Sequence, residues 1–427
     1  MGEDFLHFIW KTRKWTNLTR TASQKDFEVQ DTGIHNHDAG PDFFNAKIKT
    51  GGTTWAGNVE IHKKGSEWFT HHHHKDPAYN NVILHVVAEN DKKARTQSGR
   101  IPETWKMEYP GSAFDQYQKL IQNISGIPCH QDIHKINPTE IIIWLQSIAV
   151  ERLRDKASDI EKRLQKERMD IDTAFYQVLF KHFGFKVNQV PFEMLGRSLN
   201  WKILAKHRHD LHQIEALLFG QAGLLQGELN DDYFTRLKQE YKFLQKKYRL
   251  NNIDPQLWKF SRMRPVNFPG IRLAQLAKLM YEEENLFSKV VEAKEINQLM
   301  SLFIKSASTY WDTHYRFGQI SPKRKKKPGK MAVNSLIINA VIPFLFLYAR
   351  MRDEQQYADT AISLLEALPP ENNRIIREWD KLGINASNAL DSQALIQLKN
   401  RYCIEKKCLF CNIGQKIITM PAHDERK

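Results

Sequence analysis

Only four cysteines occur in 427 residues, three of them within one nine-residue segment, so no disulfide framework can carry a fold of this size. Long apolar runs are equally scarce. The most apolar stretch, Ser335 to Tyr348, has 14 residues and contains Asn339 and Pro343. A bilayer span needs roughly 20, so this stretch reads as a buried helix. Met1 to Trp10 carries Glu3 and Asp4 and lacks the apolar segment of a secretory signal; a cytoplasmic protein is expected. No fixed-period repeat is present, which argues against a solenoid.

Hydrophobic residues make up 41% of the chain and aromatic ones 11%, enough for a packed core and too many for global disorder. The length suits two or three domains at about 100 to 200 residues each. Lys and Arg number 63 against 49 Asp and Glu, a balance of +14. Met1 to Asp115 holds 11 Lys and 4 Arg against 8 Asp and 7 Glu, a net of zero, so the whole surplus lies in residues 116–427. Nine of the 17 histidines fall before residue 116. A neutral, His-rich part followed by a basic one points to nucleic acid as a partner. The alternative is a lysine-rich solvated surface.

Residues 26–90 read as strands. Phe44, Ala46 and Ile48 alternate with polar residues, as do Trp55, Val59 and Ile61, and Gly51-Gly52 between the two runs signals a hairpin. Val82 to Ala88 reads as a buried strand. Phe5 to Lys14 and Ser66 to His74 suit short helices. Beyond residue 135 the period becomes helical. Asn137-Pro138-Thr139-Glu140 combines an N-cap, a first-turn Pro and a Glu three residues after the cap, so a long helix is expected to about Arg168. Further helices are expected over 172–182, 231–248, 272–287, 293–313, 334–350 and 393–401. The boundary falls between Tyr109 and Pro138.

The leading catalytic candidate is Asp38-Ala39-Gly40-Pro41-Asp42-Phe43, followed by Glu60-Ile61-His62. Carboxylates on neighbouring strands can share a hard divalent cation, magnesium or manganese, that orients water and neutralises charge on a phosphate. The pattern resembles the PD-(D/E)xK nuclease superfamily, whose core is a helix, a β-meander and a further helix and strand. The resemblance implies metal binding by Asp42 and Glu60. Where that family has a Lys two residues after the acid, this chain has His62, which can also bind metal or move a proton; Lys64, on the same strand parity, is the other candidate for the cation. A two-residue turn pairs residues whose numbers sum to 103, matching Phe44 with Val59 and Ile48 with Trp55 but setting Asp42 opposite Ile61. The site then requires a bulge or bend, with Gly57 or Pro41 the candidates.

His71 to His74 form a run of four that one helix face cannot aim at a single metal. The run reads as a surface helix end, with at most His71 or His74 approaching the active face, and His85, in an apolar strand, reads as a satisfied core residue. Cys403, Cys408 and Cys411 form a C-x4-C-x2-C run, suited to zinc or an iron–sulfur cluster, with Cys129 or His130 closing the sphere. Lys323, Arg324, Lys325, Lys326 and Lys327 make a basic loop, and Arg262, Arg264 and Arg272 surround Pro265, Phe268 and Pro269. Both groups are candidate phosphate contacts; ion pairs with Glu282 to Glu284 are the alternative for the arginines.

The stretches DAGPDFFNAKI, WAGNVEIH, DPAYNNVILHVV, RMRPVNFPGIRLAQLA, INAVIPFLFLYAR and CLFCNIG resemble an uncharacterised bacterial family of unknown function over almost the whole chain. The expected architecture is α+β: a restriction-endonuclease-like mixed-sheet domain over residues 1–125, then a larger all-helical basic domain over 126–427 ending in the cysteine motif. The expected function is metal-dependent phosphodiester hydrolysis. A non-catalytic nucleic-acid-binding protein and a helical interaction scaffold are the alternatives.

Overall fold

A computed structural model describes residues 2–420 of the chain. The chain is α+β, with a mixed sheet near the N-terminus and a larger helical part after it. Two compact units emerge. One gathers residues up to Trp144 with those from Leu398 onward; the other is Leu145–Gln397. The cysteine segment near the C-terminus, expected with the helical part, thus groups with the sheet.

The first unit opens with helix α1 (Glu3–Thr12), which buries Phe5, Leu6, Phe8, Ile9 and Trp10. The sheet comprises β1 (Glu28–Asp31), β2 (Ile34–His35), β3 (Phe43–Thr50), β4 (Thr53–Lys64), β5 (Val82–Glu89) and β6 (Glu103–Lys106). Its order is β1-β3-β4-β5-β6, with β2 also paired to β3. The β1, β3 and β4 strands run antiparallel, whereas β5 and β6 pair in parallel. A short helix α2 (Glu67–Thr70) belongs to the crossover from β4 to β5, and α3 (Gly111–Gln122) follows the sheet. Residues Gly57 to His62 of β4 are buried on both faces, as a central strand, antiparallel to β3, parallel to β5 and contacted by α1 and α2, should be.

The expected hairpin forms. Gly51 and Gly52 both have positive φ, 55° and 80°, the two left-handed residues of a turn whose twist matches the strands. Ile48 pairs with Trp55, Lys47 with Ala56 and Ala46 with Gly57, and then the register slips so that Phe43 meets Val59. The expected pairing of Phe44 with Val59 is therefore corrected. The extra residue sits at Asn45, whose φ is 56°, rather than at Gly57 or Pro41. The Asn58 carboxamide accepts the Asn45 N–H at 3.4 Å.

What fixes this bulge is decided by magnitude. A left-handed conformation costs a side chain such as valine about 1–2 kcal/mol, and burying a Phe side chain contributes about 1.5–3 kcal/mol. Phe43 and Val59 are both fully buried, so slipping back to the regular register would cost more than holding Asn45 in place. Asn45→Gly should therefore leave stability and site geometry intact. Asn45→Val should lower the unfolding free energy by about 1–2 kcal/mol without moving Asp42, measurable by urea unfolding alongside metal affinity.

In the helical part the long helix α4 (Pro138–Glu167) starts as expected, with the Asn137 carboxamide accepting the Thr139 N–H at 2.9 Å. The helix expected over 272–287 is broken into Pro269–Glu282 and Leu286–Glu292, because Asn285 takes a left-handed φ of 53°. Of residues 293–313, only Ile296–Phe303 is α-helical; beyond it the Ala307 N–H bonds to the Lys326 carbonyl at 3.2 Å. The apolar stretch lies in a helix from Lys330 to Arg352 with a widened turn at Ile337–Val341. Pro343 has no N–H to donate, and the wider turn absorbs that loss. This helix is long and apolar enough to cross a membrane, but 67% of its apolar window is buried against the protein, as expected of a core helix.

Candidate metal site

The slipped register sets Asp42 opposite Glu60 instead of Ile61. Main-chain donors hold both carboxylates: the Asp42 N–H donates to Glu60 Oε2 at 3.1 Å, and the Ile61 N–H donates to Asp42 Oδ2 at 2.8 Å. Glu60 Oε1 points elsewhere, 3.0 Å from His73 Nε2 and 3.5 Å from His62 Nε2. His62 Nε2 in turn lies 3.2 Å from His71 Nδ1. One nitrogen each from His62, His71 and His73 falls within 4.8 Å of the others.

These contacts are crowded but poorly satisfied. His73 Nε2 is buried and has no hydrogen-bond partner despite its closeness to Glu60. His7 Nε2 on α1 is in the same situation, 3.3 Å from Asp42 Oδ2. Buried polar atoms in native proteins are nearly always paired. Three imidazole nitrogens with a carboxylate oxygen suit zinc or manganese, and fit magnesium, which favours all-oxygen sets, less well.

The electrostatics separate the histidines into two kinds. Burial first, then the neighbouring rings of His85, His73 and His71, push His62 down to about 2. Burial and then His73 push His85 down to about 4, and burial lowers His73. These rings are neutral near pH 7, the form that offers a lone pair to metal. His7 differs: burial opposes its charge, but the Asp42 carboxylate outweighs burial and raises it. Glu60 is held well above the ordinary carboxylate range by burial and then by the charge of Asp42.

A second layer orients the first. His62 Nδ1 lies 2.8 Å from His85 Nε2; with Nδ1 as donor, the Nε2 lone pair of His62 faces Glu60 and His71. The expectation of a satisfied core histidine at position 85 is half met, since His85 Nδ1 is buried without a partner. Glu60 and His62 are buried, whereas the Asp42 side chain keeps 23% of its exposure and His71 is exposed. The site therefore opens on the side of Asp42 and His71.

Lys64 stands apart, exposed and 3.2 Å from Glu89. Of the four-histidine run, expected to send at most His71 or His74 towards the site, the structure brings both His71 and His73 beside His62. The helix stops at Thr70, His72 takes a left-handed φ of 63°, and the following turn sends the His73 ring inward onto Tyr79, 3.8 Å between centroids. Helical spacing could not reveal this. His7 was legible in principle: Glu3 and His7 are four residues apart on one short helix, the spacing that places two side chains on a common face.

All four cysteines are buried and free. His130 is engaged within its own loop, its Nδ1 lying 3.0 Å from Ser125 Oγ and 3.2 Å from Asn123 Nδ2. The basic loop is less free than its sequence implies. Lys323, Arg324, Lys325 and Lys327 are exposed, but Lys326 is buried and donates to the carbonyls of Asp312 and Arg324 at 2.9 and 3.0 Å. Arg262 and Arg264 are exposed, whereas Arg272 is only 6% exposed. Its guanidinium donates to Gln275 and Asn267, both neutral, and lies over the Phe185 ring. Among the described residues no carboxylate pairs with it; Glu282, Glu283 and Glu284 pair instead with Lys278, Lys289, Lys305 and Arg208. Arg272 lines a cavity of about 460 Å³ together with Arg264 and Lys327.

Compared with known proteins, the chain matches the family described as "Protein of unknown function (DUF2851)" over residues 3–374. Searches of curated proteins and of solved structures returned no match.

Proposed function

We propose, for a chain that belongs to the DUF2851 family of unknown function, that its first unit hydrolyses phosphodiester bonds in DNA or RNA. A divalent cation would be held by Asp42 and Glu60 with the imidazoles of His62, His71 and His73. The observation that carries this reading is the pairing of Asp42 with Glu60 across the bulge, each carboxylate fixed by the other residue's segment of main chain. The order of elements supports it as well. A helix, antiparallel strands β1, β3 and β4, a short helix and then a parallel β5 follow the order that the PD-(D/E)xK resemblance implies.

When bound, the cation supplies Lewis-acid stabilisation of the phosphate and a more acidic water. The chain's own residues do the rest. Neutral His62 and His73 present lone pairs, and His85 holds the tautomer of His62. His7, raised by Asp42, stands 3.3 Å from that carboxylate, where an imidazole could pass a proton to a leaving oxygen. With His62 at the position of the family's Lys, the site relies on imidazole ligation rather than on a fixed ammonium.

In the helical unit, the cavity lined by Arg264, Arg272 and Lys327 offers an anion pocket. An arginine buried without a carboxylate is costly unless an anion completes it, and a backbone phosphate would do so. Incubating the chain near neutral pH with single-stranded DNA, duplex DNA and RNA should give cleavage with manganese or zinc that chelator abolishes. Joint Arg264→Ala and Lys327→Ala substitution should reduce the slope of log affinity against log salt by roughly 1–2, leaving single-turnover cleavage at saturating chain nearly unchanged. Salt-dependent binding with no cleavage under any divalent metal would favour a non-catalytic nucleic-acid-binding protein. Neither binding nor cleavage would favour an interaction scaffold.

A further inference from the structure

The four cysteines form a site separate from the carboxylate–imidazole one. Cys129 lies in the loop after α3, Cys403 ends the wide turn Leu398–Cys403, and Cys408 and Cys411 bracket a tight turn before the helix Asn412–Ile418. All belong to the first unit. They are only 6–7% exposed, and none forms a disulfide. The loop that carries Cys129 packs on the C-terminal cysteine segment: Lys406 donates to the Ile121 carbonyl, and a Cβ on Gly126 would stand 3.0 Å from Lys399 Nζ.

Three features of the surroundings suit thiolate sulfur better than neutral thiols. The indole N–H of Trp144 is buried without a hydrogen-bond partner and lies beside Cys411. The main-chain N–H groups of Ile413 and Gly414, in the first turn of the last helix, also face the Cys411 sulfur. Lys399, 8% exposed, shares the wide turn Leu398–Cys403 with Cys403. A buried N–H with no acceptor costs about 1–3 kcal/mol; thiolate or sulfide sulfur is the acceptor that would satisfy it. The turn is also closely built. A Cβ on Gly414 would stand 2.3 Å from the Cys408 carbonyl oxygen, so only glycine lets the helix start so close to the thiols.

We infer that Cys129, Cys403, Cys408 and Cys411 together hold an iron–sulfur cluster. Three thiolates in a C-x4-C-x2-C run plus one remote cysteine are the donor number and run spacing of plant-type ferredoxin ligation, with the remote cysteine here before the run instead of after it. Paired short C-x2-C units are the commoner zinc pattern. The donors from Trp144, Ile413 and Gly414 then take the role that hydrogen bonds to sulfur have in cluster sites, and Lys399 offsets part of the negative charge.

The test is elemental and spectroscopic, on the full chain purified without oxygen. The expected result is visible charge-transfer absorption with roughly two or four iron atoms per chain and equal acid-labile sulfide. Cys129→Ser and Cys411→Ser should each lower iron at least tenfold. Should those variants fail to fold, Trp144→Phe keeps every thiolate; it should retain iron while shifting the reduction potential, which a purely structural tryptophan would not do. One zinc per chain without iron or sulfide overturns the assignment. So does a metal-free chain with four thiols that titrate freely with a thiol reagent. Neither outcome bears on cleavage at Asp42 and Glu60, so this inference and the proposed function fail independently.

Discussion

Asp42→Ala and Glu60→Gln should each lower metal-dependent cleavage by at least about a thousandfold, on the scale of several kcal/mol that a catalytic cation contributes. Folding should survive both changes. Glu60 is the sharper case because its charge is disfavoured in the metal-free protein, by burial and then by Asp42. A carboxyl raised in the folded state binds its proton there over a pH range in which the unfolded chain has released it. Its contribution to stability is therefore present below the ordinary value of 4.5 and is lost as pH rises through the raised one. In chelator, the parent should thus lose stability on going from pH 5 towards neutral, by up to about 1.4 kcal/mol per pH unit from this group. Glu60→Gln should flatten that loss and melt no lower than the parent near pH 7. Adding manganese should raise the melting temperature of the parent and not of the variant. Equal melting with and without cation, or cleavage surviving in both variants, would remove Asp42 and Glu60 from the chemistry.

What the sequence made legible depended on how local the determining interaction is. The hairpin, the buried β5 strand and the start of α4 were legible because a Gly-Gly turn, an apolar run and an N-cap carry their own geometry. The two carboxylates were legible as a motif, yet alternation alone pointed them to opposite faces. The slip that brings them together depends on Phe43 and Val59 being buried as a pair, a tertiary fact. His73 escaped for a related reason: four identical residues contain no signal, and the inward turn follows from the left-handed His72. The basic loop misled in the opposite sense. Its composition promises a solvated patch, but Lys326 is drawn inside by two carbonyls and the Tyr315 ring, 4.2 Å away.

Helix α1 touches both the carboxylate–imidazole cluster and the cysteine-bearing turn of the first unit. On one side His7 meets Asp42 at 3.3 Å. On another, Phe5 stacks on Tyr117 of α3 at 5.4 Å between centroids. The same helix also contacts the turn at Cys408–Phe410. The helix that carries His7 thus packs against the cysteine-bearing turn as well as against β4.

Substituting His62→Lys restores the residue that the PD-(D/E)xK pattern has at this position, and should nonetheless inactivate the protein. His62 is 1% exposed and its ring is wedged between His85, His71 and His73, with Glu60 Oε1 at 3.5 Å. An ammonium placed there has two options, both adverse. It can remain charged and pair with Glu60, which takes the carboxylate away from the cation and sets a positive charge beside the metal. Alternatively it can give up its proton, at a cost set by the depth of burial, and leave His71 and His73 as an incomplete ligand set. Either way metal affinity should fall by at least about a hundredfold, beyond the 10–100-fold typical of losing an outer partner, and cleavage should fall with it. His85→Ala removes only the partner of His62 Nδ1 and should fall within that smaller range. Isothermal titration with manganese and zinc separates the two cases. If His62→Lys instead bound magnesium and cleaved as well as the parent, the imidazole cluster would be packing rather than ligation, and the site would be a carboxylate pair that tolerates lysine.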